Sequence, residues 1–436
     1  MKLPKAFCLI IILCLAFTPA VQAQFNVDGQ LVQRAEYRHG FGKLIGEHEE
    51  AASFISQRAR INVQYGMERF KFYVSVQDVR TWGNTSQVKL TDNFLSLHEA
   101  WAETFLSDNF SLKLGRQELN YDNFRFLGNL DWALQGRAHD FALLKYEKGT
   151  AKFHAGGGYN QDREALSGNF FSTPNQYKTA QFLRYENVAG KLNFSLLFWN
   201  NGVQASEVNN VGEIINAGIN YRQTIGVPTL RYQFGNTAIS GFYYHQLGKD
   251  LQGRDVNAYD ASAQISHLFA IDTARGSNFR ITLGMELLSG TDATSPSAEN
   301  NSYSPLYGTN HAHNGYMDMF YVGGRHENSV GLQDIFLRMR YDVNPKFFMS
   351  LNTHSFSSYT PYSDNKDERL GYEADLSLGF ILNRAVSFQA GYSQFFQTER
   401  LEILQNVQNP AGTQNWGYLM MIYRPTMPNR FIGLLF

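Results

Sequence analysis

Arginines and acidic residues share one short stretch of the chain, from Leu112 to Glu147. Between its two end residues lie three arginines and four acids, namely Arg116, Arg125, Arg137, Glu118, Asp122, Asp131 and Asp140. A guanidinium group is planar, stays charged at any physiological pH, and can donate to both oxygens of a carboxylate. The stretch could therefore bind anions in a polar cavity, or tie the walls of that cavity together by ion pairs.

Further arginines fall on polar faces of alternating segments elsewhere, and a ring of such groups selects for anions. The candidate substrate-binding set comprises Arg34, Arg38, Arg58, Arg60, Arg116, Arg137, Arg338 and Arg340, together with Glu118 and Asp140. Arg280 is expected on the same inward face. A structural alternative stays open, because Glu36, Glu99, Glu103, Asp140, Glu286, Asp334, Glu373 and Asp375 are available as ion-pair partners. Arg116 and Arg137 are predicted to line the constriction.

The sequence gives weaker support for a metal site or a catalytic site. His311 and His313, with Asp318 nearby, have the spacing of a metal pair on an extended segment, but a polar surface loop is the favoured interpretation. No nucleophile elbow or comparable catalytic motif is present, so no catalytic residues are predicted. We expect neither a metal nor a cofactor.

The segments that carry these residues alternate between apolar and polar positions, as half-buried strands do. The alternation begins at about Phe25 and recurs to about Arg424, and very short joints such as Gly235-Asn236 follow long polar connections such as Ser289 to Asn328. About eighteen strands result, with both ends of the chain on one side. The pattern predicts an all-β chain forming a single transmembrane antiparallel barrel, whereas a secreted sandwich or propeller is the less favoured alternative.

Composition and the N-terminus agree with this interpretation. Charged residues make up 18% of the chain and aromatic residues 14%, and the net charge of -1 gives no basic surface for nucleic acid. Residues 1–23 are predicted to be a signal peptide cleaved before Gln24, which would remove both cysteines, and residues 24–436 to be the barrel. The five tryptophans are expected in interfacial belts.

Five short motifs stand out, namely Leu114–Glu118, Gly136–Asp140, Tyr307–His311, Gly315–Asp318 and Gly331–Asp334. With these motifs the chain resembles the alginate export family of outer-membrane porins, in the form common in Bacteroidetes. The resemblance implies a monomeric eighteen-stranded barrel whose lumen of arginines and acids passes an anionic polysaccharide.

Function and partners follow as expectations. The protein is predicted to be a passive channel in the outer membrane of a Gram-negative bacterium, passing alginate-like saccharides or smaller anions. The alternatives are an outer-membrane hydrolase of the phospholipase type and a plugged structural or adhesive barrel. Expected partners are outer-membrane lipid, lipopolysaccharide and the barrel-assembly machinery. Ile432, Leu434 and Phe436 resemble the terminal signal of that machinery, although Pro425 and Pro428 suggest a short periplasmic extension instead.

Overall fold

The computed structural model describes residues 24–88, 94–208, 210–211, 214–294, 298–320, 326–361, 368–426 and 430–434. The predicted signal peptide lies outside these residues. The described part of the chain forms eighteen strands and one short helix. The strands are β1 Gln24–His39, β2 Ala52–Met67, β3 Phe70–Thr81, β4 Leu95–Phe105, β5 Phe110–Gln117, β6 His139–Lys148, β7 Ala151–Tyr159, β8 Thr179–Ala189, β9 Leu192–Val208, β10 Ile214–Phe234, β11 Thr237–Lys249, β12 Asp255–Asp272, β13 Ser277–Leu288, β14 Leu332–Asn344, β15 Phe347–Ser357, β16 Arg369–Ile381, β17 Val386–Gln397 and β18 Gln414–Tyr423.

Each strand pairs antiparallel with its neighbours in sequence, and β1 also pairs with β18. The closing pair runs from Leu31 opposite Tyr423 to His39 opposite Asn415. Closure leaves no free sheet edge, which is the condition for a β-structure in lipid. The predicted eighteen-stranded antiparallel barrel is confirmed.

The outer surface of the barrel is apolar. Ile239 pairs with Ile265, which pairs with Leu283, and all three side chains are exposed. Inward positions between them are polar, as expected where one face meets lipid and the other meets water. Near the short turns, Phe269, Phe279 and Tyr341 lie side by side on the outer face.

The tryptophan prediction was wrong in three cases. Trp132, Trp199 and Trp416 are buried inside the barrel at 5%, 0% and 0% exposure, and only Trp82 among the five is largely exposed. The rings of Trp199 and Trp416 pack against connections that enter the lumen, and Trp132 belongs to one of them.

Two connections fold into the lumen. They are the 118–138 loop, between β5 and β6, and the described residues between β13 and β14, which are 289–294, 298–320 and 326–331 and are called the 289–331 loop below. The two loops meet at a bridge between Leu127 and Tyr307, where Gly128 N–H donates to the Tyr307 carbonyl at 3.0 Å. Thr309 N–H donates to the Phe124 carbonyl at 2.8 Å. Most of the buried apolar core therefore lies inside the barrel, where the loops pack on the wall.

The helix α1, Glu399–Gln405, lies in the connection between β17 and β18. Its N-cap Thr398 accepts from Leu401 N–H, and Asn406 closes the helix in the left-handed region, as such termini commonly do. Among the described residues, no helix is long and apolar enough to cross a bilayer.

Candidate functional site

A basic cavity lies between the inserted loops and the end of the barrel that carries the short turns. Its volume is about 310 Å³, and it is lined by inward-facing residues of β10 to β15. Its cationic residues are Arg231, Arg280, Arg338 and Arg340. A second cavity of about 300 Å³ shares Arg231 and Arg280 and reaches the turn at Gly235. Because the short turns of outer-membrane barrels lie on the periplasmic side, this is the periplasmic end.

The cations of this cavity are only partly neutralised. Arg340 pairs with Asp342 at 2.7 Å. Arg338 donates to the His313 carbonyl at 3.3 Å and lies over the Phe336 ring at 4.0 Å. In the part of the chain that the structure describes, neither Arg338 nor Arg280 forms a salt bridge. Positive charge facing a confined space raises the local concentration of anions.

The roof of the cavity is built from both inserted loops. It includes Asn123 of the 118–138 loop and His313 of the 289–331 loop, and His313 Nε2 lies 3.3 Å from the Asn123 carbonyl. Burial and the nearby charges of Arg125 and Arg338 lower the pKa of His313 well below its ordinary value, so the imidazole is neutral at physiological pH.

His311 and His313 are not surface-loop residues as predicted, because their loop folds inward and leaves them 4% and 5% exposed. His311 pairs with Asp318 at 3.0 Å and stacks on Trp132 at 4.1 Å between ring centroids. His313 points instead to Asn123 and the basic cavity. The structure therefore does not bring the two histidines together as a metal pair.

Arg34 and Arg38 face the lumen and share the carboxylate of Glu36. Both guanidinium groups contact Glu36 at 2.8 Å. Arg34 also donates to the Trp132 carbonyl at 2.7 Å and lies against that indole ring. Arg34 therefore joins the wall to the 118–138 loop, and Glu36 offsets part of the charge of the two arginines.

Arg58 and Arg60 are also inward and buried. Arg58 contacts Asp131 of the 118–138 loop at 2.7 Å and donates to the Leu134 carbonyl at 3.0 Å. Arg60 donates twice to Gln77 and lies 3.8 Å from Glu118. Like Arg34, this pair binds the loop to the wall.

Glu118 lies where β5 passes into the 118–138 loop. Its carboxylate contacts His98 Nε2 at 2.8 Å and accepts from Asn129 at 2.9 Å. With Glu99, these groups bring three potential metal-ligand atoms within 4.8 Å of one another. The Glu99 carboxylate already accepts from Glu118 N–H and from Trp101, so the trio acts as a hydrogen-bonded support for the loop.

Arg116 and Asp140 lie on the outer face, which corrects their predicted place in the lumen. They are direct cross-strand partners and form an ion pair of 3.0 Å with side chains 39% and 56% exposed. Arg116 follows Leu114 at a spacing of two, and the Leu114 side chain is 47% exposed on the apolar exterior. Since side chains alternate along a strand, Arg116 shares that outward face.

Arg137 enters the lumen at the end of the 118–138 loop. It donates to the carbonyls of Gly308 and Gly128 at 2.9 and 3.4 Å, and so joins the two inserted loops. Burial lowers the pKa of Arg137 to about 10, which still leaves it charged at neutral pH.

Arg125 was left out of the predicted set, although it is the most completely paired cation of the lumen. Its side chain is fully buried and contacts Asp260 at 3.1 Å and Glu286 at 2.7 Å. It also donates to Asn310 and Asn314 of the 289–331 loop at 3.0 and 2.8 Å. Arg125 therefore fastens both inserted loops to β12 and β13, directly above the basic cavity.

Comparison with known proteins identifies the relatives of this barrel. The family model described as alginate export matches residues 24–162, which span β1 to β7. The predicted family resemblance is confirmed over these residues. Together with the closed barrel and its apolar exterior, the match places this alginate-export-like protein in the outer membrane of a Gram-negative bacterium. No curated protein matches the chain significantly.

Solved porin structures share the fold over nearly the whole chain. The outer membrane protein OpdK of Pseudomonas aeruginosa is 10% identical, with a TM-score of 0.57 and coverage of 91% of this chain and 98% of its own. OccAB4 of Acinetobacter baumannii is 11% identical, with a TM-score of 0.58 and coverage of 93% and 99%. A BenF-like porin of Pseudomonas fluorescens Pf-5 is 12% identical, with a TM-score of 0.58 and coverage of 92% and 98%. At these identities the likeness concerns the fold.

Proposed function

We propose that the protein is an outer-membrane channel for small organic anions and short anionic saccharides. The proposal rests on Arg280, Arg338 and Arg340, which line the periplasmic cavity. Asp342 forms an ion pair with Arg340, whereas Arg280 and Arg338 form no salt bridge with any residue that the structure describes. An anion entering the cavity supplies the missing negative charge, and guanidinium groups suit carboxylates in particular. The site thus differs from the predicted constriction at Arg116 and Arg137.

The size of the cavity favours small cargo. About 310 Å³ is at the lower end of the range for small-molecule pockets, and the roof of Asn123 and His313 closes its inner end. The alginate export match supports uronates as the saccharide class. OpdK, which shares the fold, has been solved with vanillate, a small carboxylate. Uronate monomers, short oligouronates and aromatic carboxylates are therefore the cargo to test first.

A plugged structural barrel is the second candidate, and the inserted loops favour it. Arg125, Asp131 and Arg137 all hold loop residues in the lumen through short polar contacts. If these contacts persist in the membrane, the barrel passes no ions.

Planar-bilayer recordings of the purified protein distinguish the two candidates. The channel proposal expects discrete conductance steps, a reversal potential that favours anions in a salt gradient, and block by oligouronates. Silent but stably inserted protein would favour the plugged barrel. Release of fatty acid from phospholipid vesicles would instead indicate the hydrolase alternative.

A further inference from the structure

The chain turns back into the barrel after its last strand. Residues 430–434 lie inside the lumen along the inner face of β17. Ser387 Oγ donates to the Arg430 carbonyl at 2.7 Å. The Gln389 side chain donates to the Ile432 carbonyl at 2.9 Å and accepts from Ile432 N–H at 3.0 Å. Since the two wall residues and the two tail residues are each two apart, the segment follows the wall in register.

Apolar contacts hold the same segment. Ile432 is 2% exposed. The Phe431 ring packs edge-on against Phe348 of β15 at 4.9 Å between centroids. Burying apolar side chains of this size is favourable, so these two residues anchor the segment to the wall.

The chain that follows β18 contacts the 118–138 loop at two places, through Gly433 and through Arg424. Gly433 packs so closely on the Trp132 ring that a side chain at this position would overlap it. At the start of the tail, Arg424 donates to both carboxylate oxygens of Asp131 at 3.0 and 2.7 Å. Two neighbouring residues of the inserted loop, Asp131 and Trp132, therefore contact the chain that follows β18.

We propose that residues 430–434 form a strap that holds the 118–138 loop inside the lumen. The strap enters from the periplasmic end and ties the loop to β15 and β17, and its release frees the loop to move. In this role Ile432 and Leu434 stabilise the position of the loop in the folded barrel, which goes beyond the proposed channel function. The competing role is the one suggested by their spacing, an assembly signal needed for insertion.

Hydrogen exchange with mass spectrometry on the full chain in detergent tests the strap. Ile432→Asp places a carboxylate in an apolar site without a partner and expels the tail. The matched control is Ile403→Asp, because Ile403 is 54% exposed on α1. We expect the backbone amides of Gly136 and Arg137, which donate within the loop, to exchange about tenfold faster in Ile432→Asp and at the unchanged rate in the control.

Three outcomes overturn the proposal. One is unchanged exchange of the loop in Ile432→Asp, measured while the amide of residue 432 itself loses protection. Another is equal acceleration of the loop amides in Ile403→Asp. The last is loss of the heat-modifiable folded band in both Ile432→Asp and a chain ending at Thr426, which would show that the tail acts in assembly. The exchange readout needs no ion current, so it stays separate from the test of the channel.

Discussion

Arg280 and Arg340 are direct cross-strand partners on β13 and β14, and both side chains line the basic cavity. Like charges opposite each other destabilise a sheet pair. Asp342 lies two residues from Arg340 and offsets part of this repulsion through an ion pair of 2.7 Å. A bound anion would offset more of it. The arrangement is therefore expected where anions pass or bind.

Replacing both arginines by glutamine should reduce anion preference. A unit charge a few ångströms from an ion contributes about 1 kcal/mol in water to about 4 at an effective dielectric of 20, so the reversal potential should move clearly toward zero. Block by diuronate should weaken in parallel. Removing like-charge repulsion should leave the barrel at least as stable as before.

The matched control for this change is Arg116→Gln. Arg116 is outward and paired with Asp140. Its replacement should leave selectivity unchanged. A shift of reversal potential in Arg116→Gln, with none in the double variant, would contradict the assignment of the site to the periplasmic cavity.

Arg125 should be the costliest single cation to remove. Arg125→Met leaves Asp260 and Glu286 side by side in a buried site without their counter-ion. Breaking a buried ion pair in this way costs roughly 3–5 kcal/mol. We expect a lower unfolding temperature on semi-native gels and longer or larger open states in single-channel recordings, because both inserted loops lose their anchor.

Lys249→Met is the control for Arg125→Met. Lys249 pairs with Asp255, and both side chains are well exposed. Exposed pairs contribute about 0–1 kcal/mol, so this change should barely alter either measurement. Equal effects of the two substitutions would mean that Arg125 is not a special anchor.

The alternation of apolar and polar residues, together with the succession of short and long joints, predicted the barrel. The short joint at Gly235-Asn236 falls between the paired strands β10 and β11, as the sequence predicted. Side chains alternate between the two faces of a strand, so neighbouring residues are enough to predict which face meets lipid. The same rule would have placed Arg116 outside with Leu114. The prediction followed the motif instead of the alternation and was wrong.

The inserted loops could not be predicted in this way. Arg125 lies 135 residues from Asp260 and 189 from Asn314, and no local pattern connects them. Long polar connections look alike in sequence whether they extend into solvent or fold into a lumen. One sign was present, because the 118–138 loop contains Phe126, Leu127 and Trp132, which an exposed loop would not need.

Gly308→Ala should separate the two inserted loops. A side chain at this position would overlap the Arg125 carbonyl, and the Gly308 carbonyl accepts from Arg137 at 2.9 Å. We expect faster hydrogen exchange in both loops and a higher mean conductance. Gly412→Ala is the control, because an added methyl group there meets no other atom within 4 Å. Identical behaviour of the two variants would show that the meeting point of the loops tolerates displacement.

Acid should loosen the 118–138 loop through Asp131. Burial raises the pKa of Asp131, but the charges of Arg58 and Arg424 outweigh burial and hold the pKa well below its ordinary value. A carboxyl group whose pKa is lowered by folding contributes stability that is fully present above the unfolded pKa, about 3.9 for Asp. That stability is lost as the pH falls below this value toward the folded pKa. Mean conductance of the wild type should therefore be constant from pH 7 to about 4 and rise below it.

Asp131→Asn tests this origin of acid sensitivity. The amide removes the negative charge at every pH and leaves Arg58 and Arg424 facing each other, so the variant should show raised conductance at pH 7 and a flatter response below pH ~4. Asp140→Asn is the matched control, because Asp140 is exposed on the outer face in its pair with Arg116. It should follow the wild-type curve. If Asp131→Asn and the wild type superimpose from pH 7 to about 3, the loop is held by its other contacts and Asp131 is not the acid-sensitive anchor.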